Sequence, residues 1–306
     1  MSFDITMQSI FIGGLEIRFY SLMILSGLLV GVVIGQREAR RLGEDPEHVV
    51  NIAVIGAILA LIGARMYHVL DRDQWPYYRD NPGQIVAIWN GGIGIFGAIA
   101  GAAVGLLVYV WWVNRSARLN RRPSSRMNVL RWFDIGAPSF LIGQAIGRWG
   151  NFFNEELFGP PTDLPWGIPI DVANRPLQYA ADTHFHPLFF YESVLSLIGV
   201  VVLLYVARRF AQRIVVGDIF FLYFAWYGVE RFVLEFLRTD NWKYGAVPMA
   251  QIVGVIFVVS AIALIVLRHR MAHDSGDAPG AEDTDGAPSR STLRRRRRRT
   301  ESEQDG

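Results

Sequence analysis

Seven apolar segments constrain the fold of this 306-residue chain more than any other feature. Each is about 20 residues long, the length at which an α-helix crosses the hydrocarbon core of a bilayer with its backbone hydrogen bonds satisfied. We therefore predict an all-α, polytopic integral membrane protein with about seven transmembrane helices. The segments cover residues 18–36, 49–70, 93–113, 132–150, 188–207, 217–237 and 248–267.

Arginines are distributed unevenly among the connections between these segments. The first, third and fifth connections are rich in arginine, whereas the second, fourth and sixth hold one or two basic residues each. Because basic loops stay in the cytoplasm, we predict an N-terminus outside and a C-terminus in the cytoplasm. The arginines of the rich connections are Arg37, Arg40, Arg41; Arg115, Arg118, Arg121, Arg122, Arg126, Arg131; and Arg208, Arg209, Arg213.

The chain outside the segments predicts two further regions. Residues 151–187 form the longest internal connection, and their prolines argue against continuous helix, so we predict a folded extracytoplasmic cap. Residues 1–270 then make a transmembrane catalytic domain. Residues 271–306 are acidic before the run Arg294–Arg299, and we expect a disordered cytoplasmic tail. The arginine run either lies near anionic lipid headgroups or has no specific role.

The densest group of polar residues lies at the end of the fourth segment. Residues 147–159 read GRWGNFFNEELFG, and Arg148, Asn151 and Glu155 share one face if the helix continues through them. An arginine fork beside carboxamides suits a phosphate or carboxylate ligand. A cap that satisfies a helix end at the membrane interface is the alternative interpretation.

The predicted orientation brings polar residues of six segments to the outer side of the membrane. Intramembrane ionisable residues are costly and usually face a polar cavity, so this common depth favours a site open to the outer leaflet. In the sixth segment Tyr227, Arg231 and Glu235 share a face, although Arg231 and Glu235 also suit a plain ion pair. Arg65 equally suits a side chain that extends to the interface. The other residues at this depth are Tyr20, Gly91, Gly92, His186, Tyr191, Glu192, Glu230 and Gln251.

The residue types restrict the chemistry. The chain has no cysteine, so it offers no thiolate nucleophile, and it has no convincing metal-ligand motif. We expect neither a metal nor a cofactor, and no nucleic-acid partner. Arginines at this depth predict binding of a phosphate-bearing lipid headgroup and stabilisation of a phosphate leaving group. If the phosphate is a leaving group, the nucleophile comes from elsewhere, since no Ser-His or Cys-His arrangement is visible.

Residues 147–159 also resemble the G-R-x-G-N-F-x-N-x-E-x-x-G signature of bacterial prolipoprotein diacylglyceryl transferases. The resemblance extends over residues 10–268 through shorter blocks. It implies transfer of the diacylglyceryl group of phosphatidylglycerol to the lipobox cysteine of a preprolipoprotein signal peptide, with a thioether formed and glycerol phosphate released. The expected location is the bacterial inner (plasma) membrane, among membrane lipids, with the active site facing the outer leaflet. The residues that match the signature are Gly147, Arg148, Gly150, Asn151, Phe152, Asn154, Glu156 and Gly159.

The same resemblance implies roles for individual residues. It implies catalysis by Arg148, Arg231, Tyr20, Glu235 and Asn151. It implies phosphatidylglycerol binding by Arg148, Asn151, Glu156, Gly159, Arg65, Tyr227 and Arg231.

One position departs from the family. Many members carry a histidine in the block after the paired glycines, where this chain has Phe96. Phenylalanine accepts no proton, so either that histidine is not the general base or this chain uses another residue, with Glu235, Glu156 or a tyrosine as candidates. An inactive or divergent homologue is the alternative interpretation. The rival classes are weaker: a transporter needs polar residues through the whole membrane, a scaffold needs no arginines at headgroup depth, and no intramembrane protease motif is visible.

Overall fold

The computed structural model describes residues 3–13, 15–120, 126–239, 241–245 and 247–274. These residues are mostly helical. The helices are α1 (Phe19–Arg41), α2 (Glu47–Val69), α3 (Trp75–Asp80), α4 (Ile95–Leu119), α5 (Val129–Phe153), α6 (Leu188–Arg209), α7 (Asp218–Leu234) and α8 (Met249–Asp274). A helix therefore forms over each of the seven apolar segments.

The described residues also form three small antiparallel sheets, which the all-α prediction omitted. The first joins β1 (Phe3–Ile5), β2 (Ser9–Ile12) and β3 (Leu15–Arg18), with Ile10 opposite Ile17. The second pairs β4 (Ile168–Pro169) with β5 (His184–Phe185), and the third pairs β6 (Lys243–Tyr244) with β7 (Val247–Pro248). The strands are two to four residues long and lie next to the helices. Strands this short leave no periodic pattern of apolar residues from which they could be predicted.

Five helices in the described part of the chain are long and apolar enough to cross a membrane: α1, α2, α4, α6 and α8. Helix α7 has 17 residues, or about 25 Å at 1.5 Å per residue, which is short for a bilayer core of about 30 Å. Helix α5 carries Gln144, Arg148 and Asn151 along its length. Length and composition therefore support five of the seven spans, and the remaining two stay a prediction.

The chain divides into two compact units, one of residues 1–31 and 136–306 and one of residues 32–135. In the second unit, α2 and α4 pack through their glycines, as the fourfold spacing of Gly97, Gly101 and Gly105 predicts. A Cβ atom on Gly105 would lie 2.7 Å from the Cα of Gly56. In the first unit, a Cβ on Gly27 would lie 3.0 Å from the carbonyl oxygen of Gly143, so α1 and α5 also meet closely there.

The first unit has an apolar core between α5, α6 and α7. Leu141, Leu203 and Ile219, from α5, α6 and α7, are buried against one another. A second cluster in the other unit surrounds Trp132 and Tyr109. The cluster around Leu141 holds α5, α6 and α7 side by side, so that the polar residues nearer one end of each helix meet.

Candidate functional site

A buried carboxylate on α6 connects two of the predicted arginines. The side chain of Glu192 is 2% exposed. Its Oε2 lies 2.6 Å from Arg148 Nε, in an ion pair whose angle falls outside that of a hydrogen bond. Its Oε1 accepts a hydrogen bond from Arg231 Nη1 at 3.4 Å. Three helices, α5, α6 and α7, therefore converge on one negative charge.

Arg231 makes a second ion pair. Its Nη2 donates to Glu235 Oε2 at 3.2 Å, one helical turn further along. The predicted Arg231–Glu235 pair is therefore present, but it forms part of a chain that runs from Arg148 through Glu192. The terminal nitrogens of Arg148 meet no acceptor among the residues that the structure describes. They remain able to hold an anion.

Arg238 is a third arginine near this group. It follows a 3-10 turn, Glu235–Leu237, at the end of α7, and its guanidinium forms no hydrogen bond within the described parts of the chain. Burial lowers the pKa of Arg238, and the neighbouring positive charge of Arg231 lowers it further. A bound anion offsets both effects, because it restores a partner to a partly buried cation. Arg238 thus lies near Arg231, Arg148, Glu192 and Glu235, so three arginines share this end of the site.

A second layer of polar side chains lies one helical turn from the arginines. Gln144 Nε2 donates to Glu230 Oε1 at 2.8 Å and to Ser196 Oγ at 3.0 Å. Ser196 Oγ in turn donates to Glu230 Oε1 at 3.1 Å. Gln144 precedes Arg148 by four residues and Ser196 follows Glu192 by four, so each stands one turn from its charged neighbour. This layer satisfies the buried carboxyl of Glu230 without a cation.

Residues 151–157 end α5 in a Schellman turn. The amide of Glu156 donates to the carbonyl of Asn151 at 2.8 Å, and that of Glu155 donates to Phe152 at 3.1 Å. Glu155 has φ of +52°, a left-handed conformation that costs a non-glycine residue about 1 kcal/mol. The helix ends at Phe153, so the condition under which Glu155 would share a face with Arg148 and Asn151 is not met.

The same turn gathers the signature carboxamides around Glu156. Asn151 Nδ2 donates to Glu156 Oε2 at 3.3 Å, and Asn154 Nδ2 donates to Oε1 at 3.0 Å. The glutamate is exposed and uses one bond on each oxygen. The three side chains together offer both donors and acceptors to a polar headgroup.

The predicted residues Tyr20, Gly159 and Tyr227 have packing contacts within the described part of the chain. A Cβ on Gly150 would lie 2.7 Å from the ring of Tyr20, so the glycine admits that ring against α5. A Cβ on Gly159 would lie 2.9 Å from the carbonyl of Leu237, which assigns Gly159 a packing role at the end of α7. Tyr227 lies on α7 one turn before Arg231, with its ring 6.2 Å from that of Phe257.

Arg65 belongs to the unit of residues 32–135 and is bonded within it. Its side chain donates to backbone carbonyls, including those of Ile85 at 2.8 Å and Gly92 at 2.8 Å, and the residue is 5% exposed. It therefore does not extend towards solvent but holds the loop that contains Gly91 and Gly92. Its binding of phosphatidylglycerol stays a prediction.

Phe96 is exposed and contacts the ring of Tyr67.

Glu192 was named among the residues at the outer depth but was given no role, and three members of the site were not named as site residues: Arg238, Gln144 and Ser196. Arg238 had a usable signal, since it is charged and directly follows the sixth segment. Gln144 and Ser196 had none, because a single amide or hydroxyl in an apolar helix is common. The described residues contain no group of three or more His, Asp or Glu placed to hold a metal ion.

Comparison with known proteins finds a family that matches most of the chain. The family model described as "Prolipoprotein diacylglyceryl transferase" matches residues 8–267, nearly the range of the resemblance in the sequence. A protein of Lysinibacillus sphaericus named phosphatidylglycerol–prolipoprotein diacylglyceryl transferase is 38% identical over 84% of this chain and 90% of its own length. A Nostoc protein of the same name is 38% identical over 89% and 93%, and one from Streptococcus uberis is 34% identical over 85% and 93%.

Proposed function

Since this chain belongs to the prolipoprotein diacylglyceryl transferase family, we propose that it transfers the diacylglyceryl group of phosphatidylglycerol to the cysteine thiol of a prolipoprotein. The chain is a multi-pass membrane protein and a transferase. The observation that carries the proposal is the convergence of Arg148, Arg231 and Arg238 near Glu192. Three guanidinium groups near one another, with the terminal nitrogens of Arg148 unbonded within the described residues, suit a lipid phosphate.

The reaction proposed is a displacement at carbon. The substrate sulfur forms a bond to the carbon of the diacylated glycerol that carries the phosphate ester. The carbon–oxygen bond to phosphate breaks, and glycerol phosphate leaves with the electron pair. The thiol proton passes to a base, and the product is a thioether. The sulfur comes from the substrate, in keeping with an enzyme that has no cysteine of its own.

The arginines bind the phosphate and stabilise the charge that grows on it as the bond breaks. Arg148 offers its two terminal nitrogens as a fork, which matches two phosphate oxygens. Arg231 is held by Glu192 and Glu235, so its position is fixed before the lipid arrives. Donors fixed in advance do not have to reorganise during the reaction, and each commonly contributes about 100-fold to the rate.

The signature turn binds the glycerol part of the headgroup in this proposal. Glu156 accepts from Asn151 and Asn154 and keeps capacity for hydroxyl donors. Tyr20, Tyr227 and Gly159 flank the group, and Arg65 acts through the Gly91–Gly92 loop. The base remains one of Glu235, Glu156 or a tyrosine, because Phe96 accepts no proton.

The topology is part of the proposal. Helices α5 and α7 join the five apolar helices to give seven spans, with the N-terminus outside and residues beyond α8 in the cytoplasm. Residues 1–270 are the catalytic domain, and the cap of residues 151–187 lies outside the membrane. The site then faces the outer leaflet of the plasma membrane, where the signal peptide of a prolipoprotein with its lipobox cysteine has emerged. The proposed tail falls mostly in residues 275–306, outside the described residues.

Incubation of the purified protein with phosphatidylglycerol and a lipobox peptide tests the proposal. Mass spectrometry is expected to find the peptide heavier by one diacylglyceryl group, and glycerol phosphate in the soluble fraction. A peptide with serine in place of the cysteine serves as the control and is expected to stay unmodified. An unmodified cysteine peptide at every lipid concentration would refute the function.

A further inference from the structure

Glu155 occupies a backbone position that suits glycine. It is the left-handed residue of the Schellman turn that ends α5, with φ of +52°. Glycine is the usual residue there because it has no Cβ to crowd the following carbonyl. A glutamate at this position needs compensation from its side chain, and the structure provides it.

The side chain of Glu155 is bonded to the segment of residues 171–174 in the cap. One oxygen, Oε2, accepts from the backbone amide of Asp171 at 2.8 Å and from Asn174 Nδ2 at 2.9 Å. This segment contains a 3-10 turn, Val172–Asn174, in which the amide of Ala173 donates to the carboxylate of Asp171 at 3.0 Å. The bonds join two parts of the chain that are 16 and 19 residues apart.

Glu155 lies between the two residues that build the carboxamide group. Asn154 precedes it and Glu156 follows it, and their side chains are bonded to each other at 3.0 Å. The left-handed turn directs the carboxylate of Glu155 to the cap, while that of Glu156 meets Asn151. Adjacent glutamates thus have separate partners, and the conformation of one sets the position of the other.

We infer that Glu155 is a positioning residue, which ties the cap to the signature turn and so holds Asn151, Asn154 and Glu156 in the arrangement that binds the lipid headgroup. The inference rests on the proposed function for the identity of that headgroup. Glu155 acts through its neighbours and contacts no reacting atom. Glu155 supports headgroup binding equally in the ground state and in the transition state. Its substitution is therefore expected to raise KM more than it lowers kcat.

Three substitutions separate this role from backbone strain. Glu155→Gly removes the bonds to the cap but relieves the strained φ, and Glu155→Ala removes the bonds and keeps the strain. Glu155→Gln keeps both bonds, because both reach the same oxygen and an amide oxygen accepts two hydrogens. Asp163→Ala is the matched control, a cap carboxylate without a hydrogen bond within the described residues.

Two measurements on the full-length protein in detergent are made for each variant. Hydrogen exchange of the Asp171 amide reports the tie directly, and titration with phosphatidylglycerol, followed by native mass spectrometry, reports headgroup binding. Glu155→Gly and Glu155→Ala are expected to speed that exchange and weaken binding, each by about tenfold, the scale of a lost hydrogen bond. Transfer assays are expected to give a matching rise in KM, with kcat changed by less than about twofold. Glu155→Gln and Asp163→Ala are expected to match the wild type.

Several outcomes would overturn the inference. Wild-type binding in Glu155→Gly would show that the turn alone matters, and faster exchange with unchanged binding would show that the tie does not position the site. Weaker lipid binding in Glu155→Gln than in the wild type would also contradict the inference. If the wild type binds the lipid in this pattern but transfers nothing to the peptide, the proposed function fails and the positioning role of Glu155 stands.

Discussion

At the scale of single residues, Glu192 is the group on which the arginines depend. It is almost fully buried and lies between Arg148 and Arg231. Removal of one partner from a buried ion pair leaves the remaining charge without compensation, which is far more destabilising than loss of a surface pair.

Substitution Glu192→Gln is therefore expected to lower the free energy of unfolding by about 3 kcal/mol and to abolish transfer. Chemical denaturation in detergent measures the first effect. Glu44→Gln is the control, because Glu44 meets Arg131 at 3.9 Å with both side chains partly exposed, and a change below about 1 kcal/mol is expected. Equal effects of the two substitutions would contradict the central role of Glu192.

Arg148 and Asn151 are tested by substitutions that preserve the fold. Arg148→Lys keeps a charge near Glu192 but loses the planar fork, and Asn151→Ala loses its bond to Glu156. Each is expected to lower kcat/KM by about 100-fold while the protein still inserts in the membrane. Arg79→Lys is the control, because Arg79 forms an exposed ion pair with Asp80. Wild-type turnover in both variants would reduce the signature to a packing element.

Phe96 and Arg231 together test how the substrate thiol is activated. A thiol with a pKa of about 8.5 is partly ionised at neutral pH, and a positive field lowers that pKa. Arg231→Gln weakens the field, so the rate is expected to fall and the pH profile to move to higher pH. Phe96→His is expected to change the rate little. A large gain from Phe96→His, with no pH shift in Arg231→Gln, would instead identify a missing histidine base as the limit.

At the scale of helices, the contact between α2 and α4 depends unequally on its glycines. A Cβ on Gly105 would lie 2.7 Å from the Cα of Gly56, whereas a Cβ on Gly56 would meet only the carbonyl of Ala102, at 3.8 Å. The two glycines share an interface, but one of them has room for a methyl group.

Gly105→Ala is expected to destabilise the protein by about 1–3 kcal/mol, because the two helices must move apart. Gly56→Ala is expected to be neutral or to stabilise by up to about 1 kcal/mol, since alanine favours helix. Thermal unfolding of the two variants in one detergent gives the comparison. The interface would be looser than described if both substitutions had the same effect.

At the scale of the whole molecule, the open question is which side of the membrane each loop occupies. The chain has no cysteine, so single cysteines can be introduced without background. Leu177 in the cap is 97% exposed, and Leu119 at the end of α4 is 72% exposed. The two positions lie in connections for which opposite sides are predicted.

A membrane-impermeant thiol reagent is expected to label Leu177→Cys in intact cells and Leu119→Cys only after permeabilisation. A reporter fused after residue 270 is expected to be active in the cytoplasm. Labelling of the cap only after permeabilisation would reverse the orientation and with it the leaflet that the site faces.

The amino-acid sequence by itself determined where the helices lie, which residues carry the family signature, and which glycines form packing faces. An apolar segment of about 20 residues has few other conformations in lipid, so α1, α2, α4, α6 and α8 follow from composition alone. The pair of Arg231 with Glu235 is equally local, since residues four apart on one helix meet whatever surrounds them.

Tertiary structure decided the rest. Arg148, Glu192 and Arg231 meet because three packed helices present these faces to one another. The pattern of apolar residues along each helix does not determine which faces these are. The continuation of α5 through Glu155 stayed open in the sequence, because the left-handed position holds Glu155 instead of the glycine that marks most helix ends. Its bonds to Asp171 and Asn174 lie in a distant part of the chain, and only the folded cap brings them within reach.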